Sequence, residues 1–356
     1  MSHAQSDASL PRRLLVTGAT GFIGWHVAVQ ARQLGYDVLA TGRVAHATEA
    51  ARGEELSSAG VRFEAGDLRD TELVERVLAG RDAVVHLAAA QHEAHMPHAY
   101  FHAVNVGATG LLLAAARACG VRRFVYGSTI GVYGDTADGI TLDEESPPRP
   151  ANVYTRTKLE AETLVRAHAA PMEACVVRIS ETYGPGDLRL LKLFRAIHRG
   201  QFVMLGEGRN RRRPVHVQDL ARGLLLAASH PAARDETFVL AGPQTVSTDE
   251  FVALVAAALN REPPRVHLPL WPFVVAATVL EGVLRPLRIR PPLHRRRLDF
   301  FRTSFEFSTA KAQARLGYRP EIDLRSGIQD TLHWYCARGL LPASTPRQVP
   351  TPKPSG

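Results

Sequence analysis

Short apolar runs recur along the first half of the chain, and each is bounded by glycine or polar residues. These runs are continuous rather than alternating, which indicates strands buried on both faces of a sheet. The predicted strands lie at residues 14–16, 37–41, 61–65, 82–86 and 124–126. Helical patterns follow the first strand and cover residues 70–79 and 103–118, so the predicted order is β-α-β-β-α-β-α-β. This order is typical of the α/β class, as a Rossmann-type doubly wound parallel sheet.

The second half of the chain predicts a smaller, mostly helical C-terminal substrate lobe. We assign residues 12–180 to the Rossmann domain, with residues 214–243 returning to it, and residues 181–213 and 244–340 to the lobe. A chain of 356 residues with 45% hydrophobic content is long enough to form both. The polar start, residues 1–11, and the proline-rich end, residues 341–356, are expected to be disordered tails.

Three glycines separate the first predicted strand from the first predicted helix. Gly18, Gly21 and Gly24 follow the G-x-x-G-x-x-G spacing, not the G-x-G-x-x-G of the general dinucleotide fingerprint. A strand, a glycine turn and a helix direct backbone N–H groups and a positive helix end at a phosphate. Glycines also let the backbone approach a pyrophosphate closely. A plain tight turn would need the same residues, but the position after a buried strand favours a cofactor loop.

The end of the second strand indicates which dinucleotide binds. An NAD site commonly carries an acid about 20 residues beyond the glycines, and this chain has Gly42 there, followed by Arg43. Since an arginine pairs with a 2′-phosphate, we prefer NADP(H) and keep NAD(H) as the alternative. An exposed arginine at the end of a strand would look the same. Further along, Asp67 is placed to meet the adenine amino group, although a helix N-cap role competes with this.

A tyrosine and a lysine occupy one face of a predicted helix that starts near Asn152. Tyr154 and Lys158 are four residues apart and therefore lie on the same side of the helix. A phenol has a pKa near ~10 and is a poor acid/base at neutral pH, but a nearby ammonium lowers that pKa. Tyr154 would then exchange a proton with a substrate hydroxyl while hydride moves to or from a nicotinamide.

Taken together, the motifs of residues 12–340 resemble the extended short-chain dehydrogenases/reductases of the NAD-dependent epimerase/dehydratase family. The matching motifs are Gly18-Ala-Thr-Gly21-Phe-Ile-Gly24, Gly66-Asp67-Leu68, His86-Leu-Ala-Ala89, Asn105, Ser128-Thr129, Val132-Tyr133-Gly134, Tyr154-x-x-x-Lys158, Tyr183-Gly184-Pro185, Pro214-Val-His216-Val-Gln-Asp219-Leu220, Phe307-Ser-Thr-Ala-Lys311 and Leu316-Gly317-Tyr318-x-Pro320. The resemblance is specific for the superfamily and leaves the substrate open.

The resemblance implies roles for residues at these motifs. Tyr154 would be the general acid/base, Lys158 would bind the nicotinamide ribose and tune the tyrosine, and Thr129 would hold the substrate oxygen, with Ser128 in reserve. A homodimer is also expected by resemblance. The implied cofactor-binding residues are Gly18, Thr20, Gly21, Phe22, Ile23, Gly24, Arg43, Asp67, Leu68, Leu87, Ala88, Ala89, Asn105, Tyr154 and Lys158.

Two positions bear on the substrate and point in opposite directions. Nucleotide-sugar members of the family usually have an asparagine where this chain has Glu181, and a carboxylate there would repel a diphosphate. Arg212, four residues before His216, occupies the position of the family's diphosphate-binding arginine. The first hypothesis is therefore an oxidoreductase acting on a steroid-like or other apolar hydroxy or keto compound. The alternatives are a nucleotide-sugar epimerase or dehydratase and, third, a nucleotide-sensing protein without turnover.

Charge and composition constrain the partners. Residues 285–302 carry seven arginines and one acid, Asp299, directly after the apolar stretch 269–284, whose only charge is Glu281. An ordinary packed helix is the default, but peripheral membrane contact through residues 269–302 is a further expectation. No basic motif interleaved with aromatic residues indicates nucleic acid, and no histidine or cysteine spacing indicates a metal. Only three cysteines occur, without a disulfide pattern, so a cytoplasmic location is expected.

Overall fold

The computed structural model describes residues 12–91, 96–135, 139–168, 170–284 and 295–342, with the backbone alone described at residues 168 and 295–297. The predicted tail 1–11 and residues 343–356 of the predicted tail 341–356 lie outside these ranges. So do three of the arginines in the basic run, Arg285, Arg288 and Arg290. Leu341, assigned to the tail 341–356, is instead 5% exposed and belongs to an apolar core cluster.

Seven parallel strands form the central sheet of the described chain. They are β1 (Arg13–Thr17), β2 (Asp37–Gly42), β3 (Arg62–Ala65), β4 (Ala83–His86), β5 (Arg123–Thr129), β6 (Glu173–Ile179) and β7 (Glu236–Leu240). Their order across the sheet is β7-β6-β5-β4-β1-β2-β3, and every neighbouring pair is parallel. Strands β2 and β3 are added on one side of β1, and β4 to β7 on the other side. This reversal of strand order between β1 and β4 confirms the predicted doubly wound sheet.

Helices connect these strands and build the remainder of the described chain. They are α1 (Phe22–Gln33), α2 (Ala47–Ser58), α3 (Thr71–Leu78), α4 (His98–His102), α5 (Ala108–Ala118), α6 (Val153–His168), α7 (Leu191–His198), α8 (Val217–Ser229), α9 (Thr248–Ala258), α10 (Trp271–Leu284), α11 (Arg295–Arg302), α12 (Ala310–Leu316) and α13 (Leu324–Ala337). A π turn, Ala103–Gly107, joins α4 to α5, and short 3-10 turns lie at Ile130–Tyr133 and Pro231–Ala233. Two-residue strands lie at Thr141–Leu142, Thr182–Tyr183, Met204–Leu205, Arg211–Arg212, Val215–His216, Val246–Ser247, His267–Leu268 and Glu306–Phe307.

Burial on both faces explains why the strand sequences are continuously apolar. In β1, Leu14 and Val16 pack in the core on one face of the sheet, whereas Leu15 packs in the core on the other. In β4, Val85 and Val84 divide in the same way. Since successive side chains of a strand point to opposite faces, a strand covered on both sides needs apolar residues at every position.

The chain divides into two compact units. Unit 1 comprises the described residues up to Thr182, together with Arg213–Thr245 and Ser304–Ile322, and it contains the whole central sheet. Unit 2 comprises Tyr183–Arg212 and the described residues of Val246–Thr303 and of the chain from Asp323 onward. Its core gathers apolar side chains of α7, α9 and α13, among them Phe194, Phe251 and Ile328. A capping box begins α9, in which the side chains of Ser247 and Glu250 each accept a hydrogen bond from the other's backbone N–H.

Two parts of the fold differ from the prediction. The helix α2 connects β2 to β3, where we predicted no helix. The prediction missed it because only Gly53 and Leu56 of its twelve residues are buried, so its apolar pattern is weak. The segment Ser304–Ile322, assigned above to the lobe, lies in unit 1 instead. Tyr318 accounts for this, since it is fully buried in a unit 1 core cluster and its hydroxyl donates to the carbonyl of Ala241 at 3.2 Å.

Candidate cofactor groove and catalytic residues

The loop after β1 is packed so tightly that no side chain fits at Gly18 or Gly24. Gly18 has φ +68, and a Cβ atom there would lie 2.7 Å from the backbone nitrogen of Ala88. A Cβ atom at Gly24 would lie 2.3 Å from the carbonyl oxygen of Gly18. These glycines therefore bring the start of α1 against both the loop and the chain leaving β4, which is the close helix–strand approach that a dinucleotide loop requires.

The N-terminus of α1 is open to an anion. Its N-cap residue is Gly21, so no side chain caps the helix, and the first turn contains no acidic residue. The amide of Gly21 donates to the carbonyl of Gly18 at 2.9 Å, which closes the turn. Phe22 and Ile23, both half-buried, begin the helix. A pyrophosphate fits here because the backbone N–H groups and the positive end of the helix dipole stabilise negative charge.

A groove runs along the carboxyl ends of the strands of unit 1, at the reversal between β1 and β4 where open α/β sheets bind ligands. Nine of the predicted cofactor residues contribute to its wall. The lining residues are Gly18, Thr20, Gly21, Gly42, Arg43, Glu49, Gly66, Asp67, Leu68, Leu87, Ala88, Ala89, Val104 and Ala108. The other six predicted cofactor residues are not part of this lining: Phe22, Ile23, Gly24, Asn105, Tyr154 and Lys158.

Two arginines and a tyrosine cluster at the end of the groove near β2 and β3. The Arg43 guanidinium donates to the Tyr100 hydroxyl at 2.6 Å, and the Arg69 guanidinium carbon lies 5.8 Å from the centre of the Tyr100 ring. The Asp67 carboxylate accepts two hydrogen bonds from the Arg69 side chain, at 2.7 and 3.0 Å. The bonds from Arg69 lower the pKa of Asp67, which keeps it ionised. Neither Arg69 nor Tyr100 carries a motif in the sequence, and only the fold brings them to Arg43.

A buried chain of hydrogen bonds passes beneath the groove through His86. The Thr17 hydroxyl accepts from the amides of Leu87 and Ala88, at 3.2 and 3.3 Å, so its proton points to His86 Nδ1, 2.7 Å away. His86 Nε2 then donates to the Thr109 hydroxyl at 2.9 Å. Burial, together with the positive charge of Lys158, lowers the pKa of His86 to about 3. The histidine is therefore a neutral, structural bridge between β1, β4 and α5.

Asn105 positions the chain that leaves β4. Its amide oxygen accepts from the amide of Ala90 at 2.8 Å, and its amide nitrogen donates to the Ala90 carbonyl at 3.1 Å. The same nitrogen donates to the Thr157 hydroxyl on α6 at 2.9 Å. Asn105 is 1% exposed and lies in the π turn, a local irregularity that often occurs at functional sites. In this geometry it ties one wall of the groove to the helix that carries Tyr154.

Lys158 is a buried cation at the carboxyl end of β5. Its ammonium donates to the carbonyl oxygen of Gly127 at 2.6 Å and lies 4.1 Å from the centre of the Tyr126 ring. Burial lowers the pKa of Lys158 to about 7, although Glu162 acts in the opposite direction. The side chain is thus fixed in one position, and its proton is held less tightly than that of a solvated lysine.

Tyr154 is half-buried and lies one turn before Lys158 on α6. It is close enough to Tyr126 that its phenolate charge adds to the effect of burial, which raises the pKa of Tyr126 well above the usual value. Tyr154 and Lys158 therefore both lie near Tyr126 of β5, on one face of α6.

The neighbouring hydroxyls of Thr129 and Ser128 have different environments. The Thr129 hydroxyl is half-buried and accepts a hydrogen bond from the amide of Gly131 at 3.1 Å. Ser128 is 4% exposed, and its hydroxyl donates to the Glu162 carboxylate at 2.5 Å. Adjacent residues of a strand point to opposite faces, so only one of the two can face a given ligand. This geometry favours Thr129 as the residue that holds a substrate oxygen.

Glu162 belongs to a buried ion pair that no sequence motif indicated. It is fully buried, and the Arg178 guanidinium donates to it at 3.0 Å. The same guanidinium donates to the Tyr133 hydroxyl at 2.8 Å. Together with Ser128, these groups connect α6 to β5, β6 and the 3-10 turn. A buried charge needs such partners, and removing one of them is strongly destabilising.

The two candidate substrate residues lie in different units. In unit 1, Glu181 is half-buried beyond the end of β6, and its carbonyl accepts from the amide of Val215 at 2.8 Å. In unit 2, Arg212 is 4% exposed. Its guanidinium donates to the carbonyl of Phe300 at 2.8 Å and lies 4.2 Å from the centre of that ring. Arg212 thus has a structural role within unit 2.

Comparison with known proteins agrees with this fold and groove. The sequence model of the NAD-dependent epimerase/dehydratase family matches residues 14–241. UDP-glucose 4-epimerase of Vibrio cholerae is 30% identical over 275 residues, which cover 74% of this chain and 81% of that protein. The decarboxylating sterol-4-alpha-carboxylate 3-dehydrogenase of Mus musculus is 26% identical over 346 residues, 93% of each chain.

A solved structure extends the similarity to three dimensions. MoeE5 in complex with UDP-glucose and NAD is 29% identical, with a TM-score of 0.70 over 92% of this chain and 100% of that one. The match to the family model spans the glycine loop, the central sheet and the helix carrying Tyr154 and Lys158. The chain is therefore an enzyme of the NAD-dependent epimerase/dehydratase family.

Proposed function

We propose that this enzyme is an NAD(P)-dependent oxidoreductase that acts on a secondary alcohol or ketone, with Tyr154 as the general acid/base. One observation carries the proposal. The Lys158 ammonium is fixed by the Gly127 carbonyl, one helical turn from Tyr154. A fixed cation beside a phenol favours its phenolate, which brings the phenol closer to the range in which proton transfer is efficient at neutral pH.

Each side chain has a distinct part in the proposed reaction. The bound nicotinamide would accept or supply the hydride. Tyr154 takes the hydroxyl proton of the alcohol, or returns it to the ketone oxygen in the reverse direction. Thr129 donates a hydrogen bond to that oxygen and so orients the reacting carbon. Lys158 binds a ribose hydroxyl and stabilises the phenolate, while its own position is held by Gly127.

NADP(H) is the preferred dinucleotide in this proposal. Gly42 replaces the acid that would repel a 2′-phosphate, and Arg43 lines the groove beside it. The nearby Arg69 adds a second guanidinium to the same end of the groove. Arginine binds phosphate through paired, charge-assisted hydrogen bonds, so this end of the groove favours the phosphorylated ribose.

The proposed substrate is an apolar hydroxy or keto compound, such as one with a steroid-like ring system. Two observations favour it over a nucleotide sugar. Glu181 would place a carboxylate near a diphosphate, and Arg212 is engaged by Phe300 within unit 2. The similarity to the mouse sterol dehydrogenase provides a precedent for such a substrate within the same family.

A nucleotide-sugar epimerase or dehydratase is the second candidate. The similarity to the Vibrio cholerae epimerase and to MoeE5, solved with UDP-glucose, favours it. The same groove and the same acid/base would serve, because both activities transfer a hydride between a nicotinamide and the carbon of a secondary alcohol or ketone. The difference between the two candidates lies in the residues that bind the remainder of the substrate.

Two assays on the purified protein distinguish the candidates. NADPH oxidation is followed with cyclic and steroid ketones, and thermal unfolding is measured with UDP-, dTDP- and GDP-sugars. The proposal predicts turnover of an apolar ketone and no stabilisation by the sugars, since a ligand raises the unfolding temperature only by binding the folded state. Stabilisation by one of these sugars, without ketone turnover, would favour the second candidate.

A further inference from the structure

The helix α10 presents an apolar stripe to solvent. Trp271, Val275, Val279 and Val283 are 70%, 55%, 57% and 57% exposed. They are spaced four residues apart, so they lie along one face of the helix. Val266 and Leu268, just before the helix, are 56% and 39% exposed. Six of the eleven large apolar side chains that are exposed in the described chain thus fall within residues 266–283, which is a patch rather than scattered surface.

The sequence that follows this stripe is strongly basic. The single charged residue of α10, Glu281, is 5% exposed, so no carboxylate of the helix accompanies the apolar face. In the sequence, Arg285 follows the helix directly, and residues 285–302 carry a net charge of +6 from seven arginines and one aspartate. An apolar stripe without acids, continued by a strongly basic segment, has the two features that bind anionic lipid headgroups and the acyl region beneath them.

We infer that α10 docks this enzyme onto the surface of a bilayer that contains anionic lipids. The helix has 14 residues, which corresponds to roughly 21 Å and is too short for the ~30 Å hydrocarbon core. It therefore lies in the plane of the interface, with the valines toward the acyl chains. Trp271 at its N-terminal end suits the boundary between headgroups and hydrocarbon, where an amphipathic ring is favoured. This inference is independent of the identity of the substrate.

Sedimentation of the full-length protein with vesicles tests the inference. The protein is expected to bind vesicles of phosphatidylcholine mixed with phosphatidylglycerol, to bind pure phosphatidylcholine more weakly, and to dissociate as salt is raised. The double substitution Val275→Glu/Val279→Glu should weaken binding by roughly tenfold or more. The matched control is Leu34→Glu, an equally drastic change at a side chain that is 63% exposed in unit 1, and it should bind as the wild type does.

A second measurement does not depend on the folding of the double variant. Vesicles containing brominated lipids should quench the tryptophan fluorescence of the wild type more than that of Trp271→Phe. Absence of binding to anionic vesicles, equal binding by the double variant, or equal quenching in Trp271→Phe would overturn the inference. So would a fall in solution mass from dimer to monomer in the double variant without any lipid binding, because the stripe would then contact a second copy of the chain.

Discussion

The ammonium of Lys158 lies 2.6 Å from the carbonyl oxygen of Gly127, where it is 2% exposed. This contact fixes a cation near the carboxyl end of β5, one helical turn after Tyr154 on α6. Because the cation is buried, its charge acts on its neighbours with little solvent screening. The proposed acid/base chemistry depends on this placement, and so do the first and last predictions below.

The first prediction concerns stability and pH. The pKa of Lys158 falls from 10.5 to about 7 on folding, so between these values the unfolded chain binds more protons than the folded chain. The free energy of unfolding should therefore rise with pH across this window in the wild type, and rise less in Lys158→Met. Urea denaturation of the cofactor-free proteins between neutral and alkaline pH measures both. Parallel pH profiles of the two proteins would contradict the buried-cation assignment.

The buried His86 should determine how the free energy of unfolding falls at acidic pH. Its pKa falls from 6.5 to about 3 on folding, so the unfolded chain binds more protons in that interval and stability is lost as pH drops through it. Replacement by Gln, which cannot take up a proton there, should flatten this loss, at a cost of about 1–3 kcal/mol at neutral pH from broken hydrogen bonds. Acid unfolding followed by circular dichroism is the measurement. An unchanged acid limb in His86→Gln would show that other groups dominate it.

Arg43 is expected to give the enzyme its preference for NADPH over NADH. Replacement by Ala should weaken NADPH binding by roughly 10- to 100-fold, equivalent to about 1.5–3 kcal/mol for hydrogen bonds to a charged group, and leave NADH binding within about twofold. Titration calorimetry with both dinucleotides measures the ratio. Arg62→Ala serves as the control, because Arg62 pairs with Asp37 at 2.7 Å and does not line the groove. An unaltered ratio in Arg43→Ala would reject the arginine argument.

Thr129 and Ser128 provide a matched pair of substitutions. Thr129→Val removes the hydroxyl that would hold the substrate oxygen, so kcat/KM should fall by roughly 10- to 100-fold. Stability should fall by about 0.5–1.5 kcal/mol, because the Gly131 amide loses its acceptor. Ser128→Ala removes the hydrogen bond to buried Glu162, so stability should fall by about 1–3 kcal/mol with a smaller effect on kcat/KM. Steady-state kinetics and denaturation of both variants decide the matter. The reverse pattern would assign the substrate contact to Ser128.

The strands and the glycine loop could be predicted because their signals are local. A strand covered on both faces must be apolar throughout, as Leu14, Leu15 and Val16 are, and a loop this tight admits only glycine at position 18. The helix α2 escaped prediction because its mostly polar sequence buries only two residues. The placement of Ser304–Ile322 in unit 1 was also not predicted. It depends on Tyr318 packing into the core of that unit, whose strands are far away in the sequence.

The parts of the site that escaped prediction depend on contacts between residues distant in the chain. Tyr154 and Lys158 share one helix, so their spacing alone predicted a common face. Arg43 and Tyr100 are 57 positions apart, and their hydrogen bond exists only because the fold brings β2 near α4. In the same way, no pattern in the sequence predicts that the Ser128 hydroxyl donates a hydrogen bond to Glu162.

The most direct test of the account is the kinetics of Tyr154→Phe with NADPH and the best ketone of the panel proposed above. This substitution removes only the phenolic hydroxyl and leaves the ring that packs on α6. The account predicts a fall in kcat by roughly 10²- to 10⁴-fold, the usual contribution of a positioned acid/base, with the Kd for NADPH within about twofold of the wild type. A variant that turns over at the wild-type rate would contradict the assignment of Tyr154 as the proton carrier.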